Sequence, residues 1–147
     1  MQLTSDAFTD QGRIPDRFTC SGEDVSPPLA WTDVPEGTVD LAITCEDPDA
    51  PSGTFVHWVV WNIPPSTAGL GPGEIPPAAQ HGRNDFGAST YRGPCPPRGH
   101  GTHHYHFTLH ALGQALEAPR GARLAEVRRA MAGRVLATAT IVGTFDR

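Results

Sequence analysis

The sequence contains no lysine, so arginine supplies all 11 of its basic residues, against 16 acidic residues and a net charge of −5. Without a basic run, the chain lacks the positive patch that nucleic-acid and anionic-membrane binding require. It also lacks any apolar run of 18 residues, so no membrane-spanning helix and no stable membrane insertion are expected. Met1–Asp10 shows no pattern of a secretory signal.

Cysteine is also scarce. The three cysteines, Cys20, Cys45 and Cys95, are an odd number without Cys-x-x-Cys spacing. This count argues against a disulfide framework and against a structural zinc site. A reducing cytoplasm is the simplest compartment for such a chain, and we expect a cytoplasmic protein.

Glycine and proline are abundant, at 16 and 15 of 147 residues. Both disfavour helices. Glycine loses more backbone entropy on folding than other residues, and proline has no amide hydrogen to donate. They leave little room for long helices, so an all-α fold is not expected. The length is that of one domain, which we expect to span residues 1–147.

Hydrophobic periodicity predicts strands. Four segments alternate with period two or are apolar throughout, as strands are: Val39–Glu46, Phe55–Ile63, His103–Leu112 and Val135–Phe145. One helix is predicted over Arg123–Ala132, with Gly133 just beyond its end. These patterns predict an all-β fold with minor α: a two-sheet antiparallel β-sandwich with one or two short helices.

The region between the second and third strands loses this periodicity. Residues 64–101 hold 8 of the 15 prolines and 8 of the 16 glycines. Proline fixes φ, so such a segment can be irregular and still rigid. We interpret it as a long Gly/Pro-rich binding loop.

Three polar features lie at strand ends beside Pro- and Gly-rich loops. The Asp47–Pro51 turn follows the first strand, and His57 lies within the apolar second strand. In the third strand, His103 and Tyr105 share a face with the apolar residues Phe107 and Leu109, so both are expected to point inward. Inward polar groups need a partner or a ligand.

Several segments, in order along the chain, resemble the phosphatidylethanolamine-binding protein (PEBP) family, in its prokaryotic Raf-kinase-inhibitor-like branch. Almost the whole chain takes part in the resemblance. The matching segments are Ser21–Trp31, Asp47–Pro51, Val56–Pro64, Tyr91–Pro97, Gly101–Tyr105 and Ala137–Phe145.

This resemblance implies a two-sheet sandwich with a small anion-binding cavity near one end. The positions that line the family's pocket fall here on Asp47, His57, Pro97, His103 and Tyr105. The arginine of the family motif is replaced by His104, and the C-terminal helix of eukaryotic members is not expected here.

The resemblance and the residues together predict a non-catalytic protein that binds phosphate-type or other small anionic ligands and needs no cofactor. Protonated His57 and His103 and the Tyr105 hydroxyl would donate hydrogen bonds to the anion. Asp47 would accept one from an imidazole and favour its charged form, so binding should strengthen as pH falls. The family also implies that the protein modulates a kinase or protease, and exposed sheet edges suggest a homodimer.

Two other functions are open from the sequence. A hydrolase could use Asp47 and His57 as orienting residue and base, with an unidentified nucleophile among Cys95, Ser52 and Thr54. A metal-binding protein could use the histidines concentrated around the third strand, namely His100, His103, His104, His106 and His110.

Overall fold

Two antiparallel sheets make up the fold in the computed structural model, which describes residues 1–147. The three-stranded sheet has the order β1-β2-β5 and the five-stranded sheet the order β6-β4-β3-β7-β8. The strands are β1 (Gln2–Thr4), β2 (Leu29–Thr32), β3 (Asp40–Asp47), β4 (Phe55–Ile63), β5 (Gly69–Leu70), β6 (Gln80–His81), β7 (His103–Leu112) and β8 (Val135–Phe145). A 3-10 turn covers Asp16–Phe18, and the single helix is α1 (Leu124–Met131). No helix has the length and apolar character needed to cross a membrane.

The central strands are buried on both faces, which explains their nearly continuous apolar sequence. The larger of two hydrophobic clusters includes Trp58 of β4 and Phe107 of β7, together with Leu3 and Trp31 of the small sheet. The second cluster places Trp61 of β4 against the apolar face of α1. The large sheet is thus covered by the small sheet on one side and by α1 on the other.

The predicted two-sheet antiparallel fold with a short helix is confirmed. β4, β7 and β8 have the predicted bounds, whereas β3 begins and ends one residue later and α1 is one residue shorter at each end. The strands of the small sheet are not among the predictions. They have only two to four residues each, too few for a period of two to be visible.

The prediction against disulfide bonding is wrong. Cys20 and Cys95 form a disulfide with a Cα–Cα distance of 5.4 Å across 75 residues of chain, and Cys45 stays free inside β3. The odd count arises because the third cysteine is a buried apolar residue of a strand. Spacing rules detect local pairs and carry no information about a partner 75 residues away.

The disulfide is one of several links between the Gly/Pro-rich loop and the segment before β2. The Tyr91 hydroxyl donates to the Phe18 carbonyl at 2.7 Å, and the Gly93 amide donates to the Asp24 carboxylate at 2.8 Å. A side chain at position 93 would collide with the Phe18 carbonyl, so glycine is required there. These contacts hold an irregular segment in one place beside the ends of β3, β4 and β7.

Candidate functional site

A cavity of about 190 Å³ lies where β3 ends and β4 and β7 begin. Its lining includes all five residues that the sequence predicts for the site: Asp47, His57, Pro97, His103 and Tyr105. Antiparallel pairing brings them together, because the end of β3 lies beside the start of both β4 and β7. Tyr105, His103, His57 and Asp47 are buried, and Pro97 is exposed.

Asp47 and His103 form a buried pair. Nδ1 of His103 lies 2.6 Å from Oδ2 of Asp47, and the other carboxylate oxygen accepts the Asp49 amide at 2.8 Å. An ionised carboxylate only accepts hydrogen bonds, so Nδ1 of His103 carries a hydrogen. The imidazole that Asp47 holds is therefore that of His103.

His100 occupies the other nitrogen of His103. Nδ1 of His100 lies 2.6 Å from Nε2 of His103, and the two rings meet at 63°. Both nitrogens of His103 are thus engaged by the protein. The sequence suggested His100 only as a possible metal ligand. Its contact with His103 could not be predicted, because that contact depends on the path of the loop before β7.

His57 presents a free nitrogen to the cavity. Its Nδ1 donates to the Arg92 carbonyl at 2.7 Å, and its Nε2 has no protein partner. Burial lowers the pKa of His57 below its usual value, and the Arg92 carbonyl only partly opposes this shift. At neutral pH the ring is therefore uncharged, and Nε2 is a hydrogen-bond acceptor. The expectation of two cationic histidine donors needs this correction.

Tyr105 supplies the complementary donor. Its hydroxyl lines the same cavity without a protein partner, and its ring meets the His57 ring edge-on at 5.2 Å. Burial is the first cause that raises the pKa of Tyr105, and the nearby Asp47 carboxylate adds to it. The hydroxyl consequently keeps its proton at any physiological pH.

Two phenylalanines that the sequence analysis did not select form an apolar wall. The centroid of the His57 ring lies 5.1 Å from the centroid of the Phe55 ring and 5.4 Å from that of the Phe86 ring. Phe86 is 44% exposed and belongs to the Gly/Pro-rich loop. In the sequence, Phe86 is recognisable only as an aromatic residue of the predicted binding loop, and its place beside His57 is not visible there.

The geometry does not support the hydrolase pairing. Asp47 bonds to His103 and not to His57, whose Nδ1 is held by a backbone carbonyl. Cys95 is in the disulfide, so it cannot be a thiolate nucleophile. Ser52 and Thr54 make no hydrogen bond to either imidazole.

The remaining histidines of β7 lie on the other side of the strand from His103. His104 bonds to the Asp49 carboxylate at 2.8 Å on the surface, in the position where the family motif has arginine. Neutral His110 lies 3.1 Å from the Thr44 hydroxyl. No group of three or more His, Cys, Asp or Glu side chains is arranged so that it could hold a metal ion.

Two antiparallel sheets with a small cavity at their strand ends define a β-sandwich of the PEBP type. The family model "Phosphatidylethanolamine-binding protein" matches residues 4–146, and the chain belongs to this family. A "UPF0098 protein" from Methanothermobacter thermautotrophicus is 47% identical and covers 100% of this chain and 99% of its own length. The crystal structure of CT736 from Chlamydia trachomatis has a TM-score of 0.93 and 37% identity, covering 99% of this chain and 97% of that chain.

A third relative corrects the expected cytoplasmic location. This Mycobacterium tuberculosis protein is 41% identical over 146 residues, covering 99% of this chain and 72% of its own length. Its name is "Putative lipoprotein LppC". A lipoprotein among the relatives, together with the Cys20–Cys95 disulfide, conflicts with the reducing compartment inferred from the cysteine count, and that inference is wrong.

Proposed function

We propose that this protein is a non-catalytic receptor for a phosphate-type head group. One observation carries the proposal: the cavity sets a free hydrogen-bond acceptor, Nε2 of His57, near a free donor, the Tyr105 hydroxyl. A ligand that fits must both donate and accept. A phosphate that keeps one hydrogen does so, and so does a phosphodiester linked to an ammonium group, as in the lipid for which the family is named.

The apolar wall favours a ligand larger than a bare ion. Phe55 and Phe86 stand beside His57, and Phe86 reaches the mouth of the cavity. An organic group attached to the phosphate would cover these rings. A hydrogen bond to a charged ligand contributes about 1.5–3 kcal/mol net. Two of them, less the free energy lost on association, correspond to dissociation constants of roughly micromolar to millimolar.

Isothermal calorimetry with phosphoethanolamine tests the receptor function. We expect Tyr105→Phe to weaken binding about tenfold or more, because it removes one hydroxyl from a packed ring. His106→Ala is the matched control, since His106 lies on the opposite side of β7 and should leave binding unchanged. Phosphorus NMR of the mixture should show unaltered ligand after prolonged incubation. Equal affinities for wild type and Tyr105→Phe, or steady hydrolysis, would refute the proposal.

Modulation of a kinase or protease would use the same chemistry. A phosphoserine side chain carries the same acceptor oxygens as a head group. We therefore propose that this cavity binds a phosphorylated segment of the partner kinase or protease. A phosphoserine peptide should compete with phosphoethanolamine, and its unphosphorylated form should not. Competition by both peptides alike would place any protein contact outside the cavity.

A further inference from the structure

We propose that His100 is a gating residue that blocks His103 in the free protein and is displaced when an anionic ligand binds. This inference rests on the receptor function proposed above and adds to it the residue that sets affinity. It starts from the ring contact at 2.6 Å between Nδ1 of His100 and Nε2 of His103.

His103 has no other nitrogen to offer. Asp47 holds Nδ1 at 2.6 Å, so a ligand oxygen that reaches His103 has to bond to Nε2. That position is taken by His100, and the His103 side chain is only 2% exposed. A phosphate oxygen in the cavity and the His100 ring therefore compete for one hydrogen-bonding site.

The loop around His100 allows the exchange. Gly99 and Gly101 flank it with φ values of 74° and 97°, and a Cβ at either glycine would meet open space. The His100 side chain is exposed, and its backbone amide donates in a single turn contact to the Pro97 carbonyl at 3.1 Å. Moving the ring away breaks one side-chain hydrogen bond and uncovers little apolar surface.

The exchange favours anions over neutral ligands. Nδ1 of His103 carries the hydrogen that bonds to Asp47, so a ligand oxygen bound at Nε2 must accept a second hydrogen from the same ring. A negatively charged oxygen is a stronger acceptor for this donor than the imidazole nitrogen of His100. An uncharged ligand has no such advantage and leaves His100 in place.

Calorimetric titration with inorganic phosphate at one fixed pH tests the gate. His100→Ala removes the competing hydrogen bond and should tighten phosphate binding about 2- to 10-fold. His106→Ala, a histidine removed from the opposite side of β7, should bind like wild type. In wild-type protein, NMR should show the His100 ring signals moving toward those of a solvent-exposed histidine as phosphate is added.

The outcomes separate the gate from the receptor function. If wild type and both variants bind phosphate equally, or if His100→Ala binds more weakly, the gate is refuted and the receptor stands. Phosphate binding that leaves the His100 ring signals unmoved also refutes the gate alone. If none of the three proteins binds phosphate, both proposals fail.

Discussion

The Cys20–Cys95 disulfide gives the strongest quantitative prediction for this chain. It closes a loop of 75 residues and joins the Pro-rich rim of the cavity to the segment before β2. In the chain-entropy model, cross-linking a loop of this length stabilises the fold by about 4.5 kcal/mol relative to the open chain. In a domain of about 150 residues, losing this stabilisation should lower the melting temperature of the Cys20→Ser/Cys95→Ser variant by about 10–15 °C.

Differential scanning calorimetry of the wild type and this double variant, each with and without a dithiol reductant, measures the effect. Reductant should lower the melting temperature of the wild type alone, because the variant has no disulfide to open. Thiol titration of the denatured, unreduced wild type should detect one thiol, that of Cys45. Three thiols in fresh protein, or a melting temperature that reductant and substitution leave unchanged, would refute the reasoning.

Two further predictions concern stability. Burial, aided by the nearby Arg128 cation, lowers the pKa of His110 to about 4. The unfolded protein binds this proton at a higher pH than the folded protein does. The free energy of unfolding should therefore fall by up to about 3 kcal/mol as the pH falls from about 6.5 to 4. His110→Asn should flatten this part of a urea-unfolding pH profile, and an unchanged slope would contradict the assignment. Tyr91→Phe orphans the buried Phe18 carbonyl and should lower the free energy of unfolding by about 1–2 kcal/mol in the same assay, whereas no loss would exclude this hydrogen bond as a contributor.

The sequence predicts the parts of the site that strand periodicity controls. A period of two is enough to turn His103 and Tyr105 inward and to separate them from His104. The family resemblance assigns Asp47 and His57 to the same pocket; they come from neighbouring strands and meet only because the strands pair.

The loop contributions could not be predicted in the same way. The contact of His100 with His103, the position of Phe86 at the cavity mouth and the pairing of Cys20 with Cys95 all depend on the path of irregular backbone. That path is fixed by long-range hydrogen bonds such as Tyr91 to Phe18, and no local pattern encodes them. The neutral state of His57 likewise follows from burial, which sequence alone does not measure.

The central claim is that neutral His57 accepts a hydrogen bond from the ligand while Tyr105 donates one. Inorganic phosphate and sulfate test it directly, since near neutral pH phosphate keeps a hydrogen to donate and sulfate does not. Calorimetry at pH 7.5 should show phosphate binding several-fold more tightly than sulfate, with the difference shrinking at acidic pH, where His57 becomes protonated, because burial lowers the pKa of His57. Sulfate binding as tightly as phosphate at pH 7.5 would contradict the account.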